Sequence, residues 1–156
     1  MKLSPPIANF NWKGNVSQLF GVSRETYAQF SIPGHNGIDI VVKDGVNMGY
    51  GTPILASHDG VVVSISHDLS RTRGAGVVLQ TQDGQNVIQT TYWHMSSVSV
   101  QVGNFVKQGQ VLGLMGNSGY VFPAPSSMCS RCGTHLHFAV SIFKNSKPLF
   151  TDYGEK

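Results

Sequence analysis

From His35 onward the chain is punctuated at short, regular intervals, and that rhythm leaves few architectures open. Runs rich in β-branched and aromatic residues occupy positions 38–42, 53–56, 60–66, 76–81, 86–94, 98–101, 105–107 and 110–115, with Gly, Asp, Asn or Ser turns between them. Strands this short and this evenly spaced predict a mainly β fold, an antiparallel sandwich or partly open barrel. The 18 glycines and the low charged fraction of 12% fit tight turns better than helices. Gly103 and Gly109, with Val102, Phe105 and Val106, read as a tight hairpin whose apolar side chains pack inward.

A chain of 156 residues suffices for one domain with a proper core. The expectation is a single domain over 1–156, its core at about 35–142 and a lead-in, 1–34, packed on it. Within the lead-in, Ser23 is placed to cap a short N-terminal helix containing Arg24, Glu25, Thr26 and Tyr27, ending near Phe30 ahead of Ile32-Pro33-Gly34. After Ile142 the sequence turns polar, and fraying is expected there.

The net charge of +3 is spread over scattered Lys and Arg residues, without the basic block of a nucleic-acid arm. No nucleic-acid partner is expected, and a monomer is. No signal-peptide core is visible near Met1, and no run is long enough to span a membrane.

Chemistry enters with Thr134-His135-Leu136-His137-Phe138-Ala139-Val140. In an extended strand, side chains alternate faces at about 3.3 Å per residue, so His135 and His137 share a face roughly 7 Å apart while Leu136 and Phe138 face inward. Imidazole is both a common metal ligand and a common general acid or base, so the pair suits a site where one ring binds metal and the other serves the reaction. Spacing alone leaves open which does which. A pair of surface histidines on a half-exposed strand is the bland alternative.

Gly34-His35-Asn36-Gly37-Ile38-Asp39 supplies further ligands, with Gly34 and Gly37 expected to let the backbone curl so that His35 and Asp39 converge. Together with one histidine of the strand pair they make two imidazoles and a carboxylate, a zinc set with its fourth position open. By itself His94, in Tyr92-Trp93-His94, reads first as a core histidine. His58 and His67 read as solvated turn residues beside Asp59 and Asp68. Cys129 and Cys132 fit a local disulfide or free thiols better than half of a zinc knuckle. The stretch 119–133 around them, with Pro123 and Pro125, is long for a structureless connection and suits the wall of a binding site.

Taken in order, His35-x-x-x-Asp39, Tyr92-x-His94, Val102-Gly103 … Val106-x-x-Gly109-Gln110-x-Leu112-Gly113 … Gly116-Asn117-Ser118-Gly119 and His135-Leu136-His137-Phe138 resemble the lysostaphin-type (LytM-type) zinc endopeptidases that cut peptidoglycan cross-bridges. The resemblance spans residues 35–140. It implies a duplicated-hybrid-motif fold, one Zn2+ ion held by His35, Asp39 and His137, and His135 and His94 as the two catalytic histidines. It also implies peptidoglycan stem or bridge peptides as substrate, attacked by a metal-activated water, in an extracellular or cell-wall setting reached by secretion or phage delivery. The 120–133 loop is longer than the turn of many members, and no family tyrosine is matched, so Tyr27 and Tyr120 carry no assigned role. Two rivals are a catalytically silent peptidoglycan-binding or hydrolase-activating domain of the same fold, and a biotin- or lipoyl-carrier-like module presenting Lys107. The carrier reading leaves the histidines without a purpose.

Overall fold

In the computed structural model, which describes residues 1–70 and 72–150, the elements follow one another as α1 (Trp12–Asn15), β1 (Val16–Gln18), α2 (Arg24–Ala28), β2 (Ile38–Ile40), a 3-10 turn (Gly45–Asn47), β3 (Pro53–Leu55), β4 (Gly60–Ser66), β5 (Ala75–Asp83), β6 (Asn86–Val98), β7 (Phe105–Val106), β8 (Val111–Met115), β9 (Leu136–Lys144) and β10 (Lys147–Phe150). All strand pairs are antiparallel, in the order β1-β2-β9-β6-β5-β4-β7, with β10 on β9 and β8 joining both β3 and β6. The mainly β, antiparallel, partly open architecture expected from the turn spacing is what the chain adopts.

The long strand β6 organises the rest. Its first part lies between β5 and β9, with Tyr92 opposite both Val77 and Phe138; its last residues pair with β8. The switch falls at His94, where pairing to β5 slips register between Ala75 and Val77 and His94 adopts φ 64°. A non-glycine residue in that left-handed region costs on the order of 1–3 kcal/mol, and such irregularities re-aim side chains beside active sites. Inside the bend lies one apolar cluster that includes Ile40, Ile54, Val77, Leu79, Met95, Leu112, Met115 and Leu136, all inaccessible to solvent. Burying each such side chain stabilises the fold by about 1.5–3 kcal/mol.

The lead-in is part of this packing. Ile7 enters the core, Leu55 N–H donates to the Pro6 carbonyl, and β1 pairs with β2. The short helix is present at Arg24–Ala28, but Ser23 does not cap it. Ser23 sits at φ 56°, and its hydroxyl instead accepts from Gln18 Nε2 at 3.0 Å. Pairing to β2 has drawn the preceding residues into β1, so the side-chain oxygen serves the strand rather than the helix.

Three further expectations are corrected. Residues 99–101 form no strand, because β6 already runs through Val98. The segment 102–109 is not a self-paired hairpin: β7 pairs with β4, and only Val106 is buried while Val102 and Phe105 are exposed. The polar tail after Ile142 does not fray as far as it is described, since β9 continues to Lys144 and turns into β10. Residues 151–156 lie outside the described residues.

Candidate metal centre and catalytic cleft

Strand register brings the distant histidines and the aspartate together. Asp39 on β2 lies opposite His137 on β9, and His137 lies opposite Trp93 on β6, one residue before His94. Leu136 and Phe138 point into the apolar cluster, so His135 and His137 take the other face of the chain. Gly116 bridges to His135 and carries the Asn117-Ser118 turn to the same place.

His35 is fixed by the lead-in. Its N–H donates to the Val22 carbonyl at 2.9 Å, its own carbonyl accepts from Gly21 at 2.7 Å, and its Nδ1 meets the Leu19 carbonyl at 3.1 Å. A carbonyl only accepts, so Nδ1 carries the proton and Nε2 presents its lone pair to the site. Such an outer partner orients a ligating ring.

The glycines flanking His35 act differently from expectation. Neither Gly34 nor Gly37 has positive φ. A Cβ on Gly34 would lie 2.7 Å from the Gly21 carbonyl oxygen, and one on Gly37 would lie 2.6 Å from that of Phe138 and 2.8 Å from His137 Nε2. What is required is close approach of backbones, not an unusual dihedral angle.

His35 Nε2, Asp39 Oδ1 and His137 Nδ1 form a near-equilateral triangle. His35 Nε2 lies 3.0 Å from Asp39 Oδ1 and 3.0 Å from His137 Nδ1, and the latter two are 3.1 Å apart. Among the described residues these three are the group whose donor atoms could hold a metal ion, and all three are buried. Zinc bonds of about 2.0–2.1 Å separate tetrahedral ligands by roughly 3.3–3.4 Å. Donor chemistry and spacing therefore fit such an ion with only a few tenths of an ångström of spreading. Burial alone would raise the Asp39 pKa, but the contacts of its carboxylate with the His137 and His35 rings outweigh it and hold the carboxyl well below the usual carboxylate range. Burial pushes the His137 imidazole down. Metal binding at this set requires the ionised Asp39 carboxylate and takes the proton that His137 Nδ1 shares with it.

Beside the triangle, His135 Nε2 lies 3.6 Å from Asp39 Oδ1, and its Nδ1 donates to the Gly133 carbonyl at 2.8 Å. His94 Nδ1 donates to the Ser118 carbonyl at 2.7 Å. In both rings Nε2 is left as the basic nitrogen. Burial first, and the neighbouring His135 second, push the His94 pKa down to about 3, so the ring is neutral near pH 7. All five expected site residues thus converge, and His94 belongs to the cleft rather than to the apolar core.

The open cleft over these groups is walled by the 120–133 loop and by α2. Cys129 and Cys132 are disulfide-bonded, and Asn117 Nδ2 ties the loop down through the carbonyls of Ser130 and Cys132 at 2.9 and 3.0 Å. Tyr120 meets Phe30 edge-on, with ring centres 5.5 Å apart. Tyr27, which sequence reading left without a role, has its ring 5.3 Å from that of His35. Burial and the nearby Asp39 carboxylate push its pKa up to about 12.

Two outer histidines separate. His67 is exposed, as expected of a turn residue. His58 is not solvated: it is 1% exposed, with Nδ1 donating to the Asp59 carbonyl at 2.8 Å and Nε2 3.0 Å from Thr90 Oγ1, which in turn meets Tyr92 Oη at 2.9 Å. Its neighbours in the chain are polar, but the fold over β6 covers it. The partners missed from sequence are the backbone carbonyls of Leu19, Ser118 and Gly133, which no residue type announces. Only Ser118 lay within a motif already singled out.

Comparison with known proteins gives a consistent result. Residues 33–150 match peptidase family M23. The chain is 33% identical over 131 residues to peptidoglycan DD-endopeptidase ShyA of Vibrio cholerae, covering 83% of this chain and 25% of that protein. It is 32% identical over 137 residues to lysostaphin of Staphylococcus staphylolyticus, covering 86% of this chain and 24% of the other. It thus spans about a quarter of the length of these relatives. In fold it is similar to a zinc-containing peptidase from Vibrio cholerae, with a TM-score of 0.65 at 21% identity over 100% of this chain and 40% of that one. Among the described residues no helix is long and apolar enough to cross a membrane.

Proposed function

Because this chain belongs to peptidase family M23, with lysostaphin among its relatives, we propose that it is a zinc-dependent endopeptidase hydrolysing peptide cross-links of bacterial peptidoglycan. The observation that carries this reading is the triangle of His35 Nε2, Asp39 Oδ1 and His137 Nδ1, with two histidines beside it whose Nδ1 atoms are each held by a backbone carbonyl.

His35, Asp39 and His137 would hold the ion. Zinc in such a site acts as a Lewis acid towards a carbonyl and brings the pKa of water towards neutrality. His135 takes the proton of the attacking water at Nε2, because its Nδ1 is committed to the Gly133 carbonyl. His94 lies close enough to His135, at 4.6 Å between ring centres, that a charge on one opposes a charge on the other. The pair therefore carries one proton at a time and returns it to the departing amine. The cleft between α2 and the 120–133 loop would take the peptide, and such a substrate fits action at the cell wall.

The test is zinc content by elemental analysis, followed by turbidity of purified cell walls with and without chelator. One zinc per chain and chelator-sensitive clearing are expected. Full zinc occupancy with no fragment released from any wall type would overturn the reading in favour of a silent peptidoglycan-binding domain.

A further inference from the structure

At the bulge that carries His94 the ladder between β5 and β6 is interrupted. On β6, Trp93 and His94 lie between Tyr92, which pairs with Val77, and Met95, which pairs with Ala75, so two residues face Gly76 alone on β5. His94 stands there with φ 64°, a conformation that a residue with a side chain keeps only where its surroundings enforce it. Its main-chain N–H leaves the ladder for the Arg73 carbonyl, at 3.1 Å.

Ser118 spans the interruption. Its hydroxyl accepts the Ala75 N–H at 3.0 Å and donates to the Met95 carbonyl at 2.6 Å, so one side chain joins the two residues that close the bulge, one on each strand. Ala75 and Met95 are both buried, where a lost hydrogen bond is not replaced cheaply by water. The carbonyl of the same Ser118 accepts the His94 Nδ1 proton at 2.7 Å. The junction of the strands and the orientation of the imidazole are thus set by one residue.

Its surroundings leave that residue little room to move. Gly74 has φ 66°, and a Cβ there would lie 2.5 Å from the Ser118 carbonyl oxygen. Beyond Ser118, the N–H groups of Gly119 and Tyr120 donate to the carbonyls of Leu69 and Thr72, each at 2.9 Å. Both Ser118 oxygens are engaged with the protein, which suits positioning rather than chemistry of its own.

We propose that Ser118 is a positioning residue for His94: its hydroxyl locks β5 to β6 across the bulge, and its carbonyl thereby fixes the tautomer and direction of the His94 ring. This deepens the peptidase reading and rests on it for the effect on turnover.

The experiment compares the unmodified chain with Ser118→Ala, Ser118→Thr and Ser96→Ala. kcat and KM for a labelled, cross-linked stem-peptide dimer are measured on zinc-loaded protein. The His94 tautomer is read from the imidazole nitrogen and proton NMR signals of chelator-treated protein, assigned with His94→Gln. In the unmodified chain Nδ1 should carry the proton throughout. Ser118→Ala should lower kcat about tenfold or more with KM unchanged, the mark of a misplaced group rather than weakened binding, and should bring the His94 ring into exchange between tautomers. Ser118→Thr keeps a hydroxyl and should restore both readings. Ser96 Oγ donates to the Leu114 and Met115 carbonyls at 3.3 and 3.2 Å, joining β6 to β8 past the bulge, so Ser96→Ala should leave kcat and the His94 signals as they were. An unchanged kcat or unchanged His94 signals in Ser118→Ala, an equal loss in Ser96→Ala, or no recovery in Ser118→Thr would overturn the proposal. A zinc-loaded, unmodified chain that cleaves nothing would count against the peptidase reading, and the tautomer measurement, which needs no turnover, would still decide whether Ser118 sets the ring.

Discussion

His94 and His135 face each other with ring centres 4.6 Å apart, and each donates its Nδ1 proton to a backbone carbonyl, of Ser118 and Gly133 respectively. The shared tautomer leaves Nε2 as the lone-pair nitrogen of both rings, although the residues stand 41 positions apart, one on β6 and the other in the isolated bridge just before β9. Neither ring is needed to complete the donor triangle. Substituting either by Ala is therefore expected to leave zinc content unchanged while lowering kcat by about 10²–10⁴-fold, the range for lost acid–base groups. Turnover of His94→Ala at the unmodified rate would remove that residue from the chemistry.

The triangle itself should fail in a different way. Asp39→Ala or His137→Ala is expected to lose zinc and activity together, since two remaining donors hold an ion poorly. Gly37→Ala should do the same without touching a donor, because its new Cβ must push against the Phe138 carbonyl oxygen and the His137 ring, displacing that ring and the β2–β9 pairing. Elemental analysis of the three purified variants checks this, with circular dichroism to confirm that each is folded. Full zinc occupancy in Gly37→Ala would show that the His137 ring tolerates the displacement.

What sequence made legible here was periodic or chemical. Turn residues marked most of the strands, alternation put His135 and His137 on one face, and residue type made His35 and Asp39 ligand candidates. What it hid was tertiary. His58 looked solvated beside Asp59 because neighbours in the chain say nothing of the β6 side chains that close over it. Ser23 looked like a cap because nothing local reveals that β1 captures its hydroxyl through Gln18. Gly34 and Gly37 were rightly singled out for a mistaken reason, since close packing and positive φ leave the same mark on a sequence.

The disulfide is expected to shape the cleft without holding metal. Cys132 immediately precedes Gly133, whose carbonyl fixes His135, and Asn117 anchors the carbonyls of Ser130 and Cys132. The double substitution Cys129→Ser/Cys132→Ser should keep zinc content, lower kcat severalfold as His135 loosens, and reduce stability by about 1–2 kcal/mol, as for a short closed loop. Loss of zinc in that variant would mean that the loop supports the ligands directly.

Acid should destabilise the zinc-depleted protein, and His58 should be one cause. Burial holds its imidazole pKa below the ordinary value near 6.5 that it regains on unfolding. The unfolded chain therefore takes up a proton that the folded chain resists, and the contribution is complete above about pH 6.5 and shrinks as pH falls. His94, pushed down to about 3 by burial and His135, and His137, pushed down by burial, act with the same sign. Asp39 adds to it at lower pH still, its depressed carboxyl stabilising the fold until the pH falls through its folded-state pKa. His58 lies away from the triangle, bonded to the Asp59 carbonyl and Thr90, so it can be changed without altering a ligand. The urea midpoint of chelator-treated protein should fall between pH 7.5 and 5. In His58→Gln, which cannot titrate there, the fall should be measurably smaller. An identical fall in both proteins, or an NMR titration placing the His58 pKa at its ordinary value in the folded chain, would show that burial does not hold this imidazole neutral.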